Sequence, residues 1–359
     1  MAKHQNAGKK EARPHGRKAL QLHEAQPAAI PQQQSKRGAG IHGREVPVLL
    51  VLAAISLIAA LFLASYLATN YFGNGGPNQL SATTQVAATH ADNQTSNGQN
   101  ETRFSAIAGE VLPENGFVLS VKWGNSVKEL VSAGALNVSF LSNAMQQAGQ
   151  PMTAGEESIL NGTSNGNITI NSNDTLFVLY TLWALGINNK NPIIADGPIM
   201  GYGGSPYNLA STGGYGPLGR LQLGNLSLIG LNSNEQQTAD AVASNVYRPC
   251  CDNPAMFPDC NHGAAQLGLI ELMASQGSNA TQIYEALKNA DSFYYPQEYF
   301  DLAVYFSYTK HEPWGEVSAK EVLGYNYSSA SGFNKIHQEL LQYNILPQTG
   351  GSPPGLCSA

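Results

Sequence analysis

Charge is scarce in this chain. Asp, Glu, Lys and Arg make up 12% of its 359 residues, about half the usual quarter, and Asn, Ser, Gly and Gln fill the difference. Cysteine is rarer still: there are four, too few for the disulfide-dense frameworks of small secreted domains. The familiar catalytic signatures are missing as well. No G-x-S-x-G, H-E-x-x-H, P-loop or C-x-x-C-H occurs, which removes sequence support for an α/β-hydrolase, a zincin, a phosphate-cradling NTPase or a c-type haem protein. Gly214, Gly216 and Gly219 formally satisfy G-x-G-x-x-G. No strand precedes them and Pro217 interrupts them, which argues strongly against a dinucleotide site.

The little charge present is unevenly placed. Residues 1–45 hold nine Lys/Arg and three Asp/Glu, whereas the rest holds ten and twenty-two. An acidic body argues against nucleic acid as a partner. The basic segment has almost no large apolar side chains and is expected to be a disordered cytoplasmic tail. Val46 to Thr69 then runs without a charge, and as a helix this would span ~36 Å, enough to cross a ~30 Å hydrocarbon layer. Tyr66, Tyr71 and Phe72 fit an interfacial aromatic belt. Basic residues ahead of the span orient the N-terminus to the cytoplasm, and the n-region is too long for a cleaved signal peptide. The expectation is a single-pass signal-anchor over 46–69 in the cell membrane, with everything after it extracytoplasmic. Nine Asn-x-Ser/Thr sequons, from Asn93 to Asn326, all lie beyond that span, as an exported glycoprotein would place them.

Residues 70–106, rich in Gly, Asn, Gln, Ser and Thr, read as a flexible stalk. A folded domain is expected over 107–346 and a flexible C-terminal tail over 347–359. Phe117 to Trp123 reads as a strand. Beyond it the signals are helical. Ser126, Thr153, Ser233 and Ser318 each stand three residues before a Glu or Gln in a capping-box pattern. Asp174 to Ile187 is apolar nearly all round, as a central buried helix would be. Further helices are expected at 234–247, 263–276, 280–290, 296–309 and 331–344, giving a mainly α domain with a strand or two and a Gly/Pro-rich break from Gly197 to Gly224. Eight aromatics crowd Phe293–Tyr308. Tyr299, Leu302 and Phe306, at helical spacing, read as a core stripe rather than a ligand shelf.

The chemistry concentrates in Arg248-Pro249-Cys250-Cys251-Asp252-Asn253-Pro254-Ala255-Met256-Phe257-Pro258-Asp259-Cys260-Asn261-His262, which carries three of the four cysteines. Its three prolines and its Asx residues make it a rigid loop. A helix follows, with Asn261 the expected N-cap, so the sulfurs and imidazole sit at a helix's positive end, where thiolate is favoured. Three uses of these side chains are open. Cys250 and Cys251 bond each other only through a strained ring, so a scaffold would pair one with Cys260 and the other with Cys357. A metal centre would use Cys250, Cys251, Cys260 and His262, with Met256 and Asp259 as additional ligands, and would suit zinc or copper. A redox site would use one activated thiol. A Cys–His hydrolase would instead draw a distant histidine, His311 or His337, to Cys260. Ser328 to Gly332 reads as a helix start rather than a nucleophile.

Three stretches together, Leu182-Trp183-Ala184-Leu185-Gly186 with Asn189-Lys190-Asn191, Ala210-Ser211-Thr212-Gly213-Gly214, and Arg248 to Gln276, resemble an uncharacterised family of membrane-anchored exported proteins from uncultivated archaea and bacteria. The resemblance covers roughly 117–335. It implies that these loops form one functional face and implies nothing about reaction type. Cys357 lies outside it, which shifts the expectation from a disulfide scaffold towards a metal or thiol-redox site. The competing class is a non-catalytic surface domain stapled by its cysteines.

Overall fold

The computed structural model describes residues 101–202 and 205–346. The expected cytoplasmic tail, the membrane segment 46–69, most of the stalk and the C-terminal tail with Cys357 lie outside the described residues. Among those described, no helix is long and apolar enough to cross a membrane.

The domain is mainly α, as its periodicity requires. After a helical stretch over 101–111, the elements in order are β1 (Phe117–Lys122), α1 (Ser126–Ser132), α2 (Val138–Gln147), α3 (Ala154–Leu160), β2 (Asn167–Ile170), α4 (Thr175–Asn188), α5 (Pro192–Ala195), α6 (Ala210–Gly213), α7 (Ser233–Ala243), α8 (Asn261–Ser275), α9 (Ala280–Tyr294), α10 (Pro296–Tyr305), α11 (Ala319–Val322), α12 (Tyr325–Ser328) and α13 (Ala330–Gln342). A π-helical turn, Phe306–Lys310, ends α10 before the length expected from its pattern. The two strands pair antiparallel, Phe117 opposite Ile170 and Lys122 opposite Asn167, with an irregularity between Val118 and Lys122.

The centre is the crossing of α4 and α8. Both are buried on almost every face, so neither has the polar stripe of a surface helix. They approach through glycine: a Cβ on Gly186 would collide with the Ala264 carbonyl, and one on Gly268 with the Leu182 carbonyl. Glycine therefore lets two backbones touch, and the apolar residues flanking the crossing close around it. At the far end of α8, Gln276 donates to the Lys122 carbonyl (2.8 Å) and accepts from its N–H (3.0 Å), tying the helix to the strand pair. Tyr299, Leu302 and Phe306 are fully buried, the core stripe their spacing indicated.

Capping chemistry sets the helix starts, with two shifts from expectation. Thr153 and Glu156 form a reciprocal box, and Ser318 caps α11. The box of α7 uses Asn232 with Glu235, one residue ahead of Ser233. Ser126 is not a cap; its hydroxyl donates to the Trp123 carbonyl at 2.6 Å. Residues 101–106, which composition assigns to the stalk, are helical, and Phe104 stacks there on Tyr308 with ring centroids 5.8 Å apart.

A candidate thiolate metal centre

The loop between α7 and α8 is built around one side chain. Arg248 is 0% exposed, and its guanidinium supplies the partners that a rigid, proline-broken backbone cannot find in regular structure. Its Nε donates to Cys260 Sγ at 3.0 Å, one Nη to the Asn253 carbonyl at 2.9 Å and the other to the Phe257 carbonyl at 3.1 Å. The last nitrogen also pairs with the Asp259 carboxylate, whose second oxygen accepts from the Asn253 amide at 2.7 Å. Gly263, in the first turn of α8, is where the guanidinium lies; a Cβ there would run into it. The loop is thus a sleeve of backbone and acid around a buried cation.

Neighbouring elements hold the sleeve in place. Ala330 N–H donates to the Cys251 carbonyl at 3.0 Å, and Ser331 binds the Asp252 carboxylate through its N–H (2.8 Å) and hydroxyl (2.6 Å), docking the start of α13. Ser331 thus serves docking, and Ser329 is the N-cap of α13. The Gly-rich segment also covers the loop: Ser211 N–H donates to the Asp259 carbonyl at 3.0 Å, and Tyr202 lies 6.0 Å from Phe257.

Within this frame Cys250, Cys251 and Cys260 converge. None is in a disulfide, and their three Sγ atoms lie within 4.8 Å of one another. Cys260 is the N-cap of α8, a role expected of Asn261, and its sulfur accepts from the Gly263 N–H at 3.4 Å. Cys250 Sγ lies 3.6 Å from Cys260 Sγ and accepts from the Tyr295 hydroxyl at 3.1 Å. Hydrogen bonds from Cys250 and Cys251, with help from the Arg248 charge and His262, hold Cys260 well below the usual thiol range despite its burial. Cys251 moves the other way: its contact with Cys250 lowers it, but its hydrogen bond to Cys260 and its burial outweigh this and push it up to about 11. These opposite shifts make Cys260 readier than Cys251 to carry charge.

Of the other expected ligands, His262 touches the group through its hydrogen bond to Cys260. Its ring packs 4.7 Å from that of Tyr295 and 5.7 Å from that of Tyr294, outside the sulfur cluster itself. Asp259 is committed to Arg248 and Asn253, though its carboxylate comes within 3.9 Å of Cys251 Sγ. Met256 packs partly buried against the core. Neither histidine considered for a Cys–His hydrolase is tied to the sulfurs. His337 is bound to buried Asp301 at 2.6 Å, and His311 stands after the π-helical turn in the left-handed region.

Arg248, Tyr295 and Asp291 escape sequence reasoning. An arginine heading a Pro-Cys loop with an aspartate eleven residues on was the available signal for the first. Tyr295 is hidden among eight neighbouring aromatics. Asp291, fully buried behind His262, accepts from Gln266 (2.7 Å) and Tyr299 (3.2 Å), and burial pushes it up to about 7. Set beside known protein families, curated proteins and solved structures, the chain matches none of them.

Proposed function

We propose that loop 248–262 holds one soft metal ion, zinc or copper, through the thiolates of Cys250, Cys251 and Cys260, with His262, which hydrogen-bonds Cys260, as a further candidate ligand. The observation that carries this reading is the convergence, within 4.8 Å on one rigid loop, of three sulfurs that are not joined by disulfides. Thiolates select soft ions such as zinc and Cu(I). Zn–S bonds of ~2.3 Å in a tetrahedral site put sulfurs ~3.8 Å apart, and the 3.6 Å between Cys250 and Cys260 is close to that edge. The buried Arg248 charge offsets part of the negative charge that three thiolates concentrate.

Placement outside the cytoplasm on a single membrane anchor belongs to the same reading. It is supported by the basic segment preceding the apolar run 46–69 and by sequons confined to the residues beyond it. The metal reading is tested on the full chain, purified under reducing, oxygen-free conditions. Zinc and copper are assayed after dialysis and affinity is measured against a chromophoric chelator. One ion per chain, lost on replacing any of the three cysteines by serine, is the expected result. A chain that retains and takes up neither ion overturns the metal reading.

A further inference from the structure

The three sulfurs are not equivalent, and their differences point to a second property of the same loop. Cys250 is partly exposed, while Cys260 is 8% exposed behind it, 3.6 Å away. A disulfide needs ~2.05 Å, so the pair must close by roughly 1.6 Å, within the reach of side-chain rotation. Cys251 is bonded to Cys250 through the backbone, where a disulfide would strain the ring, and its sulfur lies on the Asp259 side of the loop. Cys260 Sγ takes N–H donors from Arg248 and Gly263, and Cys250 Sγ takes the Tyr295 hydroxyl. Donors of this kind favour charge on sulfur, which both the attacking and the departing atom of thiol–disulfide exchange require.

We propose that Cys250 and Cys260 form a redox pair that closes on meeting a small-molecule disulfide, leaving Cys251 as the free thiol, and that closure opens the metal site. The ejection of metal rests on the reading given above; the choice of pair does not. In the first step the Cys250 thiolate attacks one sulfur of RSSR, the S–S bond breaks, and RS⁻ leaves. In the second the Cys260 thiolate attacks Cys250 Sγ and displaces the other RS⁻. Two protein thiolates lose two electrons in all, and RSSR gains them to become two RS⁻. A bonded pair has no thiolate to offer, so the ion keeps one sulfur of three and is released.

The test uses the full chain, reduced, with and without one equivalent of zinc, exposed to glutathione disulfide. Free thiols are counted, cross-linked peptides are mapped by mass spectrometry, and released zinc is read with a chromophoric dye. The expected result is loss of two thiols with no retained glutathione, a Cys250–Cys260 peptide, and at least about a tenfold fall in bound zinc as the link forms. The Cys251→Ser chain should give the same link, which guards against a shuffled pairing. Any other pairing, or arrest at stable glutathione adducts, overturns the proposal. A reduced chain that never binds zinc but forms the Cys250–Cys260 link removes the metal reading and the ejection while sustaining the pair. A chain that binds zinc and forms no link removes the pair while sustaining the metal site.

Discussion

Replacing Arg248 by lysine keeps the charge and discards the fork, so it isolates what the guanidinium geometry contributes. Arg248 serves four acceptors that surround it: Cys260 Sγ, the Asn253 and Phe257 carbonyls, and Asp259. A lysine ammonium carries its three donors on one atom and cannot face all of them. At least one buried acceptor then loses its partner, at a cost of ~1–3 kcal/mol. Arg248→Met goes further and leaves Asp259 beside no cation. Breaking a buried pair costs ~3–5 kcal/mol, and the 21% exposure of the Asp259 side chain places this case near the lower end. Urea unfolding with chelator and reductant present holds the cysteine chemistry constant. The expected order is wild type, then Arg248→Lys, then Arg248→Met, with unchanged slopes. An Arg248→Lys midpoint within ~0.5 kcal/mol of wild type, the scatter of neutral surface changes, would refute the idea that the guanidinium organises the loop. In the same samples Arg248→Met should slow alkylation of Cys260 at neutral pH, because the thiol loses a neighbouring charge that favours its ionised form.

Gly268→Ala should destabilise the domain by ~1–3 kcal/mol through overpacking against α4, reversing the ~1 kcal/mol gain that alanine normally brings to a helix interior; thermal denaturation reads the sign. Asp291 has a folded pKa of about 7, above its unfolded value of ~3.9. The folded state therefore binds the extra proton, and stability should fall as pH rises from about 4 to about 7 and level off above that. Asp291→Asn should flatten that slope in urea midpoints taken across the same range. At neutral pH Cys251 should react slowly with iodoacetamide, its rate climbing by about tenfold per pH unit towards 11 as the thiolate appears, which peptide mapping follows directly. His262→Ala should weaken zinc binding by about 10–100-fold and leave the number of titratable thiols unchanged, as competition with a chelator and a thiol assay will show.

The architecture was legible where periodicity and capping speak plainly. The all-round apolar run of α4, the Thr153 box and the stripe Tyr299, Leu302, Phe306 all follow from local spacing. Helix α2 is hard to read from the sequence because its start, Asn137, also opens an Asn-x-Ser sequon. The same side chain accepts from Phe140 N–H at 3.1 Å as an N-cap, and the two uses share one signature. The shift of the α8 cap from Asn261 to Cys260 has a physical cause as well: Arg248 occupies the space beside Gly263, and that arrangement holds the sulfur over the first turn. The cysteines announced themselves by type. Their convergence did not, since it depends on a buried guanidinium that composition counts as one charge among few. Asp291 was invisible for the same reason, because local sequence does not say which acid will lose its water.

The glycine crossing of α4 and α8 works as a fulcrum for the chemistry. Cys260 lies eight residues from Gly268 along one rigid helix, a lever of ~12 Å at 1.5 Å per residue. A wedge at the crossing would tilt that arm and shift the capping sulfur relative to Cys250 and Cys251, against the hydrogen bond by which Arg248 holds it. Spacing among the thiols therefore depends partly on a close backbone contact two turns away from them. Drift in that contact would change the spacing of the sulfurs without altering any of the three cysteines.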